Sequence, residues 1–181
     1  MLSHASAPAA PDYHFLTTPF KVAAATHAPR LSSSPTTIQV LFTTTSWDQA
    51  PVISSSPVPL APSIVTTERE FKGDAMRGFA TATYVMTQLS SGDGEDGDPS
   101  GVFTGTMVFE GAILGRKGAV ALHTRGSYDG DSVEARWTIV SESASGELEG
   151  IIGHGSYAIA DATASRDGGD EVEGELVLSF P

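Results

Sequence analysis

Apolar and polar residues alternate along most of this chain, and the alternation is reset at short segments rich in Gly, Asp and Ser. The clearest stretch is 101–157, GVFTGTMVFEGAILGRKGAVALHTRGSYDGDSVEARWTIVSESASGELEGIIGHGSY. Its apolar runs are each about one strand long, and their spacing predicts a meander of antiparallel strands. Upstream, residues 37–45 (TIQVLFTTT) are rich in β-branched side chains and predict the first strand. Residues 64–72 alternate, with Val65, Thr67, Arg69 and Phe71 on one face and Ile64, Thr66, Glu68 and Glu70 on the other. A long strand over 77–89 carries Ala80, Ala82, Tyr84 and Met86 on one side. Further strands are expected at 102–112, 119–128, 132–140, a short 147–152, 155–160 and 171–180. No stretch has a capped helical period.

That many strands in one domain leave a sandwich or a barrel. Gly105, Gly111, Gly126, Gly153 and Gly155 lie inside expected strands, and tightly curving strands need such residues at their bends. The expected fold is therefore all-β: a single antiparallel closed barrel of about eight strands over residues 37–181. Residues 1–36 are an N-terminal extension. Its first residues, 1–11, are Ala-, Ser- and Pro-rich and expected to be disordered, whereas 13–26 carry Pro19 and suit an edge strand or an arm. The acidic run SSGDGEDGDPS at 90–100 reads as a solvated hairpin loop, because it lacks the ligand spacing of a calcium loop.

Composition narrows the partners. Asp and Glu number 22 against 10 Lys and Arg, a net charge of −12. Such a field repels polyanions and anionic bilayers, so neither nucleic acid nor membrane is an expected partner. There is no cysteine, no signal-peptide-like start and no apolar run of membrane-span length, so the expected location is cytoplasmic. Five histidines are scattered without metal-ligand spacing, which predicts no metal site. No phosphate loop, dinucleotide fingerprint or nucleophile elbow is present, so no cofactor is expected.

The order GFATATYVM, F-x-G-x-x-x-F-x-G-x-x-x-G-R-x-G, G-S-Y-D-G, W-T-I-V, S-G-E-L-x-G and G-x-G-S-Y resembles the bacterial and fungal DUF3224 family over roughly residues 40–181. SWDQAP, beginning at Ser46, looks like that family's Ser-Trp-Asp/Glu-x-x-Pro stretch. The resemblance implies a barrel similar to allene oxide cyclase, lipocalin-like (calycin-like) and eight-stranded, and barrels of this kind often pair as homodimers. It also implies acids where this chain has Thr83, Met107 and His154. If those acids line the cavity in relatives, the cavity here is more apolar and suits an apolar ligand.

Bulk points Phe103, Met107 and Phe109 inward, with Leu122 beside Val120 and Thr124, and Trp137 beside Ala135 and Ile139. With Tyr157 they form the expected ligand-binding set, although such faces also simply fill cores. The catalytic candidates are Tyr84, Glu68, His123 and Arg125. A buried Glu68 could act as acid or base. Tyr84 could donate to a substrate oxygen, and His123 with Arg125 could hold an enolate if their face is the lumen. If it is the exterior, they are ordinary surface residues. By analogy with similar barrels the expected function is a cofactor-free cyclase or isomerase of an apolar secondary-metabolite intermediate, such as a polyketide or terpenoid. The alternatives are a non-catalytic binder or carrier of a small apolar ligand, and a structural module whose barrel is filled by its own side chains.

Overall fold

The computed structural model describes residues 34–52, 62–89, 99–130, 132–160 and 171–181. The expectations for the N-terminal extension before residue 34, and for most of the acidic run at 90–100, lie outside these residues. Eight antiparallel strands close into a barrel in sequence order, the last pairing with the first. They are β1 (Thr36–Pro51), β2 (Pro62–Lys72), β3 (Met76–Leu89), β4 (Ser100–Ile113), β5 (Arg116–Asp129), β6 (Ser132–Val140), β7 (Ile152–Ile159) and β8 (Glu171–Ser179). Among the described residues no helix is long and apolar enough to cross a membrane.

The strict alternation read from the sequence becomes an inner and an outer wall. On β2, Val65, Thr67, Arg69 and Phe71 are buried, while Glu68 is exposed. On β3, Ala80, Ala82, Tyr84 and Met86 are buried between exposed neighbours. Strand β1 breaks its own alternation. The register with β2 shifts between Thr44 and Ser46, a bulge that changes the parity of everything beyond it. Phe42 and Thr44 face in before the bulge, and Trp47 faces in after it, opposite Thr67. Unbroken alternation would have aimed Asp48 at the lumen; the bulge leaves it exposed instead.

One end of the barrel is closed by the β6–β7 connection. The sequence suggests a strand over 147–152, but the connection instead carries two single 3-10 turns, Ser141–Ser143 and Gly146–Leu148, the second of which runs into the expected strand. Gly146 and Gly150 adopt φ of 67° and 80°, which only glycine takes readily and which ends any strand there. Strand β5 starts before its pairing with β6 begins at Ala121. The connection supplies the missing partners: Lys117 N–H donates to Glu147 Oε2 at 2.8 Å, and Ala121 N–H to Ser143 Oγ at 2.8 Å. Leu148 and Ile151 plug the end completely, over Met76 and Ile113.

The lumen is filled by its own rings through the middle. Phe42, Phe71, Phe109, Trp137 and Tyr157 stack into one cluster, with neighbouring ring centroids 5.1–6.5 Å apart. Such offset and edge contacts add to the burial of large apolar surfaces. Glycine is required at Gly126 of β5, where a Cβ would strike the Glu134 carbonyl and the Phe103 ring. Only a bare backbone lets Phe103 lie across the wall there.

Candidate functional site

Room remains at the other end, where β3 and β5 finish and β4 and β6 begin. A cavity of about 60 Å³ is lined by Phe42, Trp47, Arg69, Tyr84, Phe103 and Tyr157, with Met86, Tyr128, Val133 and Ile159 towards its rim. That is well below the ~300 Å³ at which pockets for drug-sized ligands begin. It corresponds to roughly two water molecules' share of the liquid.

Arg69 is the singular feature of this cavity. The strand alternation leaves it no choice of face, since Val65 and Phe71 must point inward. Its side chain is 5 % exposed. The guanidinium lies over three rings, 4.8 Å from the centroid of Phe42, 5.4 Å from Tyr157 and 5.7 Å from Tyr84. Desolvated cation–π contacts of this kind are worth about 2 kcal/mol or more. Nη2 donates to the Tyr157 hydroxyl at 3.2 Å. Nε and Nη1 are buried and have no hydrogen-bond partner among the described residues. No carboxylate among those residues pairs with the guanidinium; the ion pairs formed are Lys72–Glu70 and Arg77–Asp74, both on the outside. Burial works against the charge, but the Tyr157 and Tyr84 oxygens more than offset it, and Arg69 is held above its ordinary pKa. The site is a fixed cation in an aromatic cup.

Tyr84 is 3 % exposed; its hydroxyl and Thr67 Oγ1 make no well-formed hydrogen bond among the described residues, although Thr67 and Arg69 lie close enough to the hydroxyl to act on its pKa. Burial pushes the Tyr84 pKa up, and the nearby Arg69 charge only partly opposes this. The phenol therefore stays protonated and able to donate at neutral pH. The sign of the linkage follows. The folded pKa lies above the unfolded one, so Tyr84 contributes stability that is fully present below about pH 10 and is lost as pH rises through the folded value. Wild-type protein should thus lose more unfolding free energy than Tyr84→Phe as alkali is added. Parallel profiles in chemical denaturation across that range would show that Tyr84 titrates normally.

The other expected site residues divide by wall. Phe103 and Tyr157 line the cavity. Met107, Phe109, Leu122 and Trp137 face inward as expected, but lie within the packed core and outside the cavity's lining. Glu68, His123 and Arg125 are exposed on the outer wall, the exterior one of the two placements that the sequence left open, so the catalytic roles that needed the lumen do not apply to them. Their parity decides it, because Phe71 on β2 and Leu122 on β5 claim the inner face. His123 instead meets Thr104 on the outer surface, Nε2 to Oγ1 3.2 Å apart. Thr83 and His154 are also outside, and Met107 alone of those three positions faces the lumen. Arg69 was the residue to find, and its signal was its shared face with Val65 and Phe71. Among the described residues no cluster of His, Asp or Glu is arranged to hold a metal.

Comparison with known proteins agrees with the architecture. No curated protein matches the chain at a level that carries an argument. A crystal structure of a protein with unknown function from the DUF3224 family of Shewanella oneidensis is similar in fold, with a TM-score of 0.60 at 16 % identity, covering 82 % of this chain and 99 % of its own. The description of the family "Protein of unknown function (DUF3224)" matches residues 38–166, which take in seven of the strands and every residue of the cavity. On that match, the chain belongs to the DUF3224 family.

Proposed function

We propose that this barrel is a binding protein for a small, largely apolar molecule, whose end it receives in the cavity beside Arg69. The observation that carries this is the contrast between the two ends of the lumen. One end is sealed by Leu148 and Ile151, while the other keeps an apolar cup with convergent donors at its base. An apolar pocket with a few placed polar groups is the usual form of a small-molecule site. Its volume suits a small ligand or one end of a larger one.

A second reading, a cofactor-free cyclase or isomerase like the allene oxide cyclase barrels, draws support from the donors themselves. Arg69, Tyr84 and Tyr157 line the same cavity, and donors aimed at developing negative charge would favour an enolate. Among the described residues the lining holds no carboxylate or imidazole to act as base, so that chemistry would rest on electrostatics and on folding the substrate. A cytoplasmic setting fits either reading, given a chain without cysteine. Homodimer pairing belongs to the same proposal and is supported by the exposed Phe79, Val85, Val102 and Val108 on the adjacent strands β3 and β4.

The test is a panel of small apolar and aromatic molecules titrated against the protein, with Trp47 fluorescence as readout, since Trp47 lines the cavity. Saturable quenching that survives in Glu68→Gln and His123→Ala but weakens in Tyr84→Phe is the expected result. Those two outer-wall variants should change stability by no more than about 0.5 kcal/mol. No saturable signal from any compound would remove the binding reading, and conversion of a bound compound to an isomer would favour the second.

A further inference from the structure

The geometry points to a carboxylic acid as the ligand class: the carboxylate of a small acid pairs with Arg69, and its apolar tail lies along Met86, Phe103, Val133 and Ile159. This rests on the binding reading above and specifies its chemistry.

Three observations carry it. First, Arg69 is a buried cation, and two of its three nitrogens, Nε and Nη1, have no hydrogen-bond partner among the described residues. Burying a charge without a partner is costly, and buried donors are normally satisfied. Second, among the described residues the acid next to the lining is kept out of it: the β1 bulge turns Asp48 outward and seats Trp47 in the lining. Third, the donors present are of one sign. The guanidinium, the Tyr84 hydroxyl and the Tyr157 hydroxyl, which already accepts from Nη2, can all donate to an incoming oxygen. A planar carboxylate accepting parallel N–H bonds from arginine is the match this set makes best. Sulfate, with twice the charge, gives up more hydration on entering a largely aromatic lining, so the singly charged carboxylate is the better match.

The tail determines orientation. The aromatic cluster closes the inner side of the cavity, with Phe42 and Tyr157 both packed on Trp137. The acid group therefore enters first, and the tail points towards the rim. Short aliphatic and aryl monoacids fit this description.

The experiment compares matched pairs by isothermal titration calorimetry on the full chain: hexanoate against hexanamide, and benzoate against benzamide. The acids should bind at least about tenfold more tightly than their amides, since only they place charge against the guanidinium. Arg69→Met should abolish that preference, and Tyr157→Phe, which keeps the cation, should retain it. Equal binding of acid and amide to wild type would overturn the carboxylate inference and leave the binding reading standing. Binding of neither member of either pair, with neutral apolar probes also silent, would overturn both. Sulfate binding as tightly as hexanoate would also overturn the inference, because it would mark a general anion site.

Discussion

Substituting alanine for Trp137 is expected to cost the barrel about 3–5 kcal/mol of unfolding free energy. The indole is 1 % exposed and is the largest fully buried side chain. It sits in the middle of the lumen, with ring centroids 5.1 Å from Tyr157, 5.9 Å from Phe42 and 6.5 Å from Phe71. Its neighbour across the β6–β7 ladder is Gly155, which has no side chain to move into the vacated volume. A closed ring of hydrogen-bonded strands also resists collapse more than a helix bundle would, so most of the cavity should persist. Urea denaturation measures the loss. A cost under about 1 kcal/mol would show that the lumen is not filled in the way described.

The second large effect runs the other way. Arg69→Met should leave the ligand-free protein at least as stable as wild type, and up to about 1–4 kcal/mol more stable. Methionine fills much of the same volume with a flexible apolar chain and suits an aromatic surround. The substitution sacrifices one hydrogen bond, to Tyr157, and three ring contacts, but removes the desolvation of a fixed charge, which at neutral pH faces the protonated phenol of Tyr84 and not a phenolate. A protein whose arginine served only its fold would behave differently. Removing one partner of a buried, hydrogen-bonded ion pair costs about 3–5 kcal/mol. A loss of that size would mean that a carboxylate of this chain holds Arg69, and that the cation is not kept for a ligand.

Both expectations turn on features that the sequence shows unequally. The strands are legible because each inner wall carries side chains whose bulk leaves no doubt. Val65 and Phe71 fix the inner face of β2, and Tyr84 between Ala82 and Met86 does the same for β3. The same alternation already places Arg69 inside and Glu68 outside. Chemical expectation draws the eye to the carboxylate first, because a buried glutamate is a familiar acid and a buried, unpaired arginine is not. On β5, Leu122 settles the placement of His123 and Arg125 in the same way. Other features are not local properties. The bulge near Thr44 comes from the pairing of β1 with β2, and it decides whether Trp47 or Asp48 faces the lumen. The β6–β7 connection contains enough apolar residues to pass for a strand, yet Gly146 and Gly150 take backbone angles that end one. How much room the ring cluster leaves depends on rotamers from several strands at once, so no single stretch of sequence announces the cavity. The family match adds the architecture and no chemistry, since its members share a fold whose function is open.

Soaking crystals of the ligand-free protein in bromide and mapping its anomalous scattering asks directly whether this barrel keeps a bare cation in its one lined end. Bromide should be found inside the cup, within hydrogen-bonding distance of Arg69 and against Tyr84 or Tyr157. Bromide confined to the exposed Arg116, Arg125 and Arg136, with a side-chain carboxylate of this chain seated on Arg69 instead, would contradict it.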